Sequence, residues 1–124
     1  MKTLHVLVGF ALMVLIFMGA CGKIPSADVQ AAKDALKAAQ MVTSVPVEIL
    51  AAACGENPSC AGKCGDAFLA CAKSKYPEGG DILLRDCPDF AKAFNNTLPS
   101  EDKIRQFFLD RLTQVASGEQ VYAK

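Results

Sequence analysis

Six cysteines, at positions 21, 54, 60, 64, 71 and 87, carry most of the chemistry open to this 124-residue chain. A thiol can bridge, ligate a metal, exchange disulfides or accept a lipid, and spacing and setting separate these uses. Cys60, Cys64 and Cys71 could be read as ligands for zinc or a cluster. Their spacing is C-x3-C, however, not the C-x2-C pair usual in structural zinc sites, and the only histidine, His5, lies in the N-terminal apolar run. Thiol–disulfide exchange asks for C-x-x-C on a βαβ scaffold, and the chain has neither. It also has no G-x-S-x-G, no phosphate-cradling glycine loop, and no histidine base after residue 5. The acidic pairs Asp86/Asp89 and Glu101/Asp102 fall at expected helix starts, where capping and the helix dipole account for them. No catalytic residue, cofactor or metal is therefore expected, and structural disulfides are the default reading of the thiols.

Helical geometry prunes the pairings. If Cys60 to about Lys75 is one helix, then Cys60, Cys64, Phe68 and Cys71 recur at i, i+4, i+8 and i+11 and can share a side. Cys64 and Cys71 would be separated by a rise of about 10 Å, too far for a bridge whose Cα atoms lie within about 7 Å. Cys60 and Cys64 are closer, but their Cα–Cβ vectors run nearly parallel, so each should pair off the helix. Cys54 and Cys60 flank an Asn57-Pro58 turn, with Cys64 able to take the place of Cys60. Cys71 and Cys87 flank the Tyr76–Gly80 break at similar distances, as across an antiparallel helix pair. The expected bridges are Cys54–Cys60 and Cys71–Cys87, leaving Cys64 as the free thiol.

The elements that must hold these thiols read as helices throughout. Ala is abundant, Trp is absent, and no strand pair shows a hairpin signal. Ser26 can cap a first helix running to about Val42, with Val29, Ala32, Leu36 and Ala39 on a thin apolar stripe. So thin a stripe packs closely, packs loosely, or serves as a stalk. Thr43 and Ser44 interrupt, and Pro46 opens a short helix that stops at Gly55. In the Cys60 helix, Gly62 and Gly65 weaken the first turns, so the regular part should begin nearer Asp66. After the break at Tyr76–Gly80, Asp81 can cap a fourth helix, which Pro88 interrupts or kinks. Asn95–Pro99 reads as a loop. Ser100 then caps the last helix, whose stripe is Ile104, Phe107, Phe108, Leu112 and Val115, with Gly118 as its stop. The fold class is all-α: a small disulfide-linked bundle of four or five short helices. Phe90, Phe94, Phe107 and Phe108 are read first as core and second as an apolar groove for a partner.

The N-terminus decides the compartment. Lys2 precedes an uncharged, almost wholly apolar run from Leu4 to Ala20. As a helix this run would span about 25 Å, short of the roughly 30 Å hydrocarbon core, which suits a secretory signal better than a permanent span. It ends Met18-Gly19-Ala20-Cys21. That end resembles the lipobox of bacterial lipoproteins, in which an aliphatic residue and two small ones precede an invariant cysteine. Met18 stands where Leu, Val or Ile is usual. The resemblance covers only the leader and Cys21. It implies cleavage before Cys21, acylation of its thiol and of the new N-terminus, and a firm membrane anchor. With Gly22 rather than Asp after the cysteine, it also implies the outer membrane over the inner. Ordinary leader removal near Ala20, with Cys21 a plain thiol, is the other reading.

The expected organisation is a signal peptide over 1–20, a lipidated tether over 21–25, a helical domain over 26–118 and a flexible tail over 119–124. The part after the leader carries thirteen acids and twelve bases, a balance of −1 that gives no electrostatic case for nucleic acid. The expected function is non-enzymatic: an envelope lipoprotein, held to the membrane through Cys21, that binds or supports another envelope protein. In size, lipobox and helicity it is similar to secretion pilotins and conjugative entry-exclusion proteins. The alternative is a soluble, secreted cysteine-rich effector or toxin with three disulfides. Cysteine parity separates the two: six thiols close three bridges, whereas a lipidated Cys21 leaves one thiol unpaired.

Overall fold

The computed structural model describes residues 24–41 and 45–118. The expected leader, residues 21–23 of the expected tether, Val42 at the expected end of the first helix, the Thr43-Ser44 interruption and the 119–124 tail lie outside the described residues. Among the described residues the chain folds entirely as helices: α1 (Ser26–Gln40), α2 (Val47–Gly55), α3 (Pro58–Ala61), a 3-10 turn (Gly62–Cys64), α4 (Gly65–Lys73), α5 (Glu78–Asp86), α6 (Pro88–Ala93) and α7 (Glu101–Ala116). They form a small all-α domain tied by two disulfides.

The local chemistry accounts for most of the boundaries. The Ser100 hydroxyl accepts from the Lys103 N–H at the start of α7, with Glu101 and Asp102 in the first turn. Gly118 follows α7 at φ 81°, the left-handed conformation that ends helices. Elsewhere tertiary demands move the boundaries. Pro25, not Ser26, occupies the cap of α1, and its carbonyl accepts from the Asp28 and Val29 N–H groups. The expected Cys60–Lys75 helix is broken in two. The Asn57 side chain caps α3 by accepting from the Ser59 and Cys60 N–H groups, and Gly62 turns the chain at φ 58° before α4 begins at Gly65.

Helix α5 starts at Glu78 rather than beyond Asp81, so Gly79 and Gly80 are buried inside its first turn. A Cβ on Gly79 would sit 3.1 Å from the Cys71 Sγ and 3.2 Å and 3.3 Å from the carbonyl oxygens of Ser74 and Cys71. One on Gly80 would collide with the Leu98 side chain. The two glycines are thus where α5 closes on α4 and on the start of α7. Gly79→Ala is expected to cost about 1–3 kcal/mol in a urea melt, although Ala favours a helix by about 1 kcal/mol over Gly. An unchanged midpoint would mean that α4 and α5 part without cost.

Helix α7 lies against α1, α2 and α3, while α2 packs on α4 and α4 on α5. Polar clamps set the relative direction of α1 and α7. At one end, the Ser59 hydroxyl donates to the Asp28 carboxylate at 2.6 Å, and the Asn57 amide donates to the Asp28 carbonyl at 2.8 Å. Next to them, Arg111 of α7 donates from Nε (2.9 Å) and Nη2 (2.7 Å) to the Cys60 carbonyl. At the other end, Arg105 Nε donates to the Val45 carbonyl at 2.8 Å. The start of α1 therefore lies beside the end of α7, and the start of α7 lies beside the residues that enter α2. Helix α1 is not a free stalk: Ala32 is fully buried, and Leu36 and Ala39 pack on the core. That core is built on Leu50, Phe68, Leu83, Phe90, Ile104, Phe108, Leu112 and Val115. Every buried side-chain polar atom among the described residues has a hydrogen-bond partner.

Candidate functional site

Cys54 is bonded to Cys60 across the Asn57-Pro58 turn, with Cα atoms 5.1 Å apart. Cys64, expected to be free, is bonded to Cys87, with Cα atoms 5.2 Å apart. Cys71, expected to pair with Cys87, carries the free thiol and is buried. The difference comes from where the antiparallel α4/α5 pair turns. Helix α5 runs back along α4, so its end at Cys87 reaches the start of α4 at Cys64. Cys71 instead faces the start of α5 at Gly79. Matching distances from a turn is the right rule; the turn simply begins α5 three residues earlier than the Gly-Gly pair suggests. Cys60 and Cys64, considered as joint metal ligands, belong to two different disulfides.

Burial, and secondarily the Glu48 carboxylate, pushes the Cys71 thiol from 9.0 up to about 11. The folded state therefore holds its proton where the unfolded chain has lost it. The associated stability is full below about pH 9 and is lost as pH rises towards 11. Between pH 8 and 11 the wild type is expected to lose about 2–3 kcal/mol more than Cys71→Ala. Parallel urea melts of the two proteins check this, and equal losses would refute it. In native protein at pH 8 Cys71 should resist maleimide, and it should react once the chain is unfolded.

Phe90, Phe94, Phe107 and Phe108, read from the sequence first as core and second as a groove, pack together. The ring centroids of Phe90 and Phe107 lie 5.1 Å apart, Phe90 and Phe94 4.8 Å, and Phe107 and Phe108 5.5 Å, with Phe68 joining at 5.0 Å from Phe108. Phe90 and Phe108 are fully buried. Edge-to-face contacts join Phe68, Phe90, Phe107 and Phe108, tilted ones add Phe94, and the half-buried Phe94 and Phe107 rings pack against the core instead of walling a groove. Arg111 completes the cluster, its guanidinium 5.4 Å from the ring centres of both Phe68 and Phe107 and 3.8 Å from the Asp89 carboxylate. Asp89, expected only to complement a helix start, thus also faces a buried cation. Asp86 ends α5 instead of starting a helix, and its bond with Arg85 holds its carboxyl below the usual range. Glu101 and Asp102 both lie against Arg105.

An apolar groove does exist, on the other side of the bundle. It runs between α1 and α2, has a volume of about 260 Å³, and is lined by Ala35, Ala38, Ala39, Val45, Pro46, Ile49, Leu50 and Ala53. Its origin is the thin stripe of α1: alanine methyl groups do not reach far enough to fill the space beside α2. Leu50 and Val45 form a buried floor, while Ile49 stands at the rim with 58% of its surface exposed. Met41, immediately after α1, is 82% exposed. No lining side chain is charged or titratable, so the groove can shelter apolar groups but can neither move a proton nor hold a metal. Its volume falls just below the roughly 300–1,000 Å³ of small-molecule pockets and suits one or two large apolar side chains. Periodicity alone could have pointed here, because Ile49 falls off the buried face of α2 defined by Val47, Leu50, Ala51 and Cys54. No family model, no curated protein and no solved structure matches this chain.

Proposed function

We propose that the protein is exported, anchored in a bacterial envelope through acylated Cys21, and acts without catalysis by holding an apolar segment of another envelope protein. The cysteine accounting carries this reading. Four cysteines are consumed in two bridges, as suits an oxidising compartment, and the fifth, Cys71, is buried behind Gly79. A third intramolecular bridge from Cys21 would require Cys71 to leave the core. In this reading Cys21 is the thiol that takes the lipid, and the odd thiol that parity then leaves is Cys71, sheltered in the core. The outer membrane is the proposed location, from Gly22 after the cysteine. The contact surface moves from the phenylalanines to the α1–α2 groove, where Ile49 offers an exposed apolar side chain beside an all-apolar lining.

Intact-mass spectrometry of the native protein tests the anchor. The expected mass begins at Cys21, includes acyl chains, and shows one alkylatable thiol after unfolding without reduction. An unmodified Cys21 with no free thiol anywhere would sink the reading in favour of a secreted three-disulfide protein. For the groove, a photo-crosslinking residue at position 49 should give a discrete adduct with one envelope protein in intact cells. Equal adducts from position 63 would remove the groove from the proposal.

A further inference from the structure

The start of α1 is fixed to the domain with almost no slack. Ile24 packs against the core, the Pro25 carbonyl begins the helix, and Asp28 is clamped to Ser59 and Asn57. Only Gly22 and Lys23 separate Cys21 from Ile24. Three residue steps reach at most about 11 Å, whereas the sixteen residues of α7 alone extend about 24 Å. A lipid on Cys21 therefore cannot let the domain tumble freely above the bilayer.

Resting on the lipid-anchored reading above, we infer that the pole of the bundle bearing Ile24, the Asn57–Ser59 turn, Lys63 and the end of α7 faces a phospholipid surface, with the opposite pole directed away from it. The polar clamps define both poles. Asp28, Ser59, Cys60 and Arg111 meet at the membrane pole. Val45 and Arg105 meet near the distal pole, together with the α4–α5 turn where Cys71 faces Gly79. The groove is lined from the second half of α1 and from Val45 to Ala53 of the incoming chain. It accordingly opens on the distal half, clear of the headgroups, where a partner in the aqueous envelope space can reach it.

The absence of Trp makes single-Trp reporters clean. Ser117 and Lys63 are exposed at the membrane pole and Lys75 at the distal pole. Ser117→Trp, Lys63→Trp and Lys75→Trp would each be made in the full, acylated chain. Each would then be reconstituted in phosphatidylethanolamine/phosphatidylglycerol vesicles containing nitroxide-headgroup lipid. Circular dichroism confirms folding, and two membrane-pole sites guard against one failing. Trp at positions 117 and 63 should be quenched several-fold more than Trp at 75, and a flexible Gly/Ser insert after Gly22 should abolish the difference. Equal quenching in a chain shown by mass to be acylated overturns the orientation while leaving the anchor intact. A difference that survives the insert overturns the short tether as its cause. A chain with unmodified Cys21 overturns the anchored reading itself.

Discussion

Replacing Cys64 and Cys87 together by alanine is expected to lower the unfolding free energy by about 3–4 kcal/mol, read from urea melts at neutral pH. The bridge closes a loop with a sequence separation of 23 and ties the start of α4 to the end of α5. Its main effect is to restrict the unfolded chain, and the restriction grows with loop length. The Cys54–Cys60 bridge has a separation of only 6, and removing it should cost about 2 kcal/mol. Together the two effects approach the whole stability of an ordinary domain, about 5–15 kcal/mol. The fully reduced chain should therefore be largely unfolded at 37 °C, and the folded state confined to an oxidising compartment. The double variant is preferred to either single one because a single replacement leaves an unpaired thiol at the α4–α5 contact, open to exchange with a second molecule. A loss below about 1 kcal/mol would mean that the helices meet in the same way without the bridge.

Arg111→Ala should be similarly severe, at about 3–5 kcal/mol. Arg111 is 7% exposed, lies over the Phe68 and Phe107 rings, and gives two hydrogen bonds to the Cys60 carbonyl. Truncation strands that carbonyl in the interior, leaves Asp89 without the cation it faces, and opens a void beside the rings. Arg111→Lys keeps the charge but not the planar fork, and should recover only part of the loss. Equal stabilities of Arg111→Lys and Arg111→Ala would show that the two-bond geometry contributes nothing. Because the Cys60 carbonyl sits beside the Cys54–Cys60 bridge, the α7 clamp and that bridge should couple in a double-mutant cycle.

The secondary structure was legible because the local signals agree with one another. Pro46, Gly55, Ser100 and Gly118 punctuate where capping and turn chemistry place them, and the stripe of α7 points inward at Ile104, Phe108, Leu112 and Val115. The misreadings lie where a contact from elsewhere in the chain outweighs a local preference. Two glycines in a row read as a turn, yet they start α5 because Cys71 and Leu98 leave no room for a Cβ. Asn57 and Gly62 divide what reads as one helix, and only Asp28, some thirty residues earlier, explains why that corner is rigid. Arg111 falls on the buried stripe of α7, four residues after Phe107 and four before Val115, but periodicity does not name its partner, a carbonyl 51 residues away.

Taken alone, the sequence determines the all-α class, the helix-rich composition, the apolar run from Leu4 to Ala20 before Cys21 and the presence of enough thiols for bridges. These follow from propensity, periodicity and residue identity, which are local. Which of Cys64 and Cys71 pairs with Cys87, and where apolar surface stays uncovered, were decided by tertiary structure alone. The point at which the chain turns from α4 into α5 selects Cys64 over Cys71. The shortness of the alanine side chains on α1 leaves the groove beside Ile49. Both depend on the packing of helices remote in sequence, a property that no stretch of residues carries by itself.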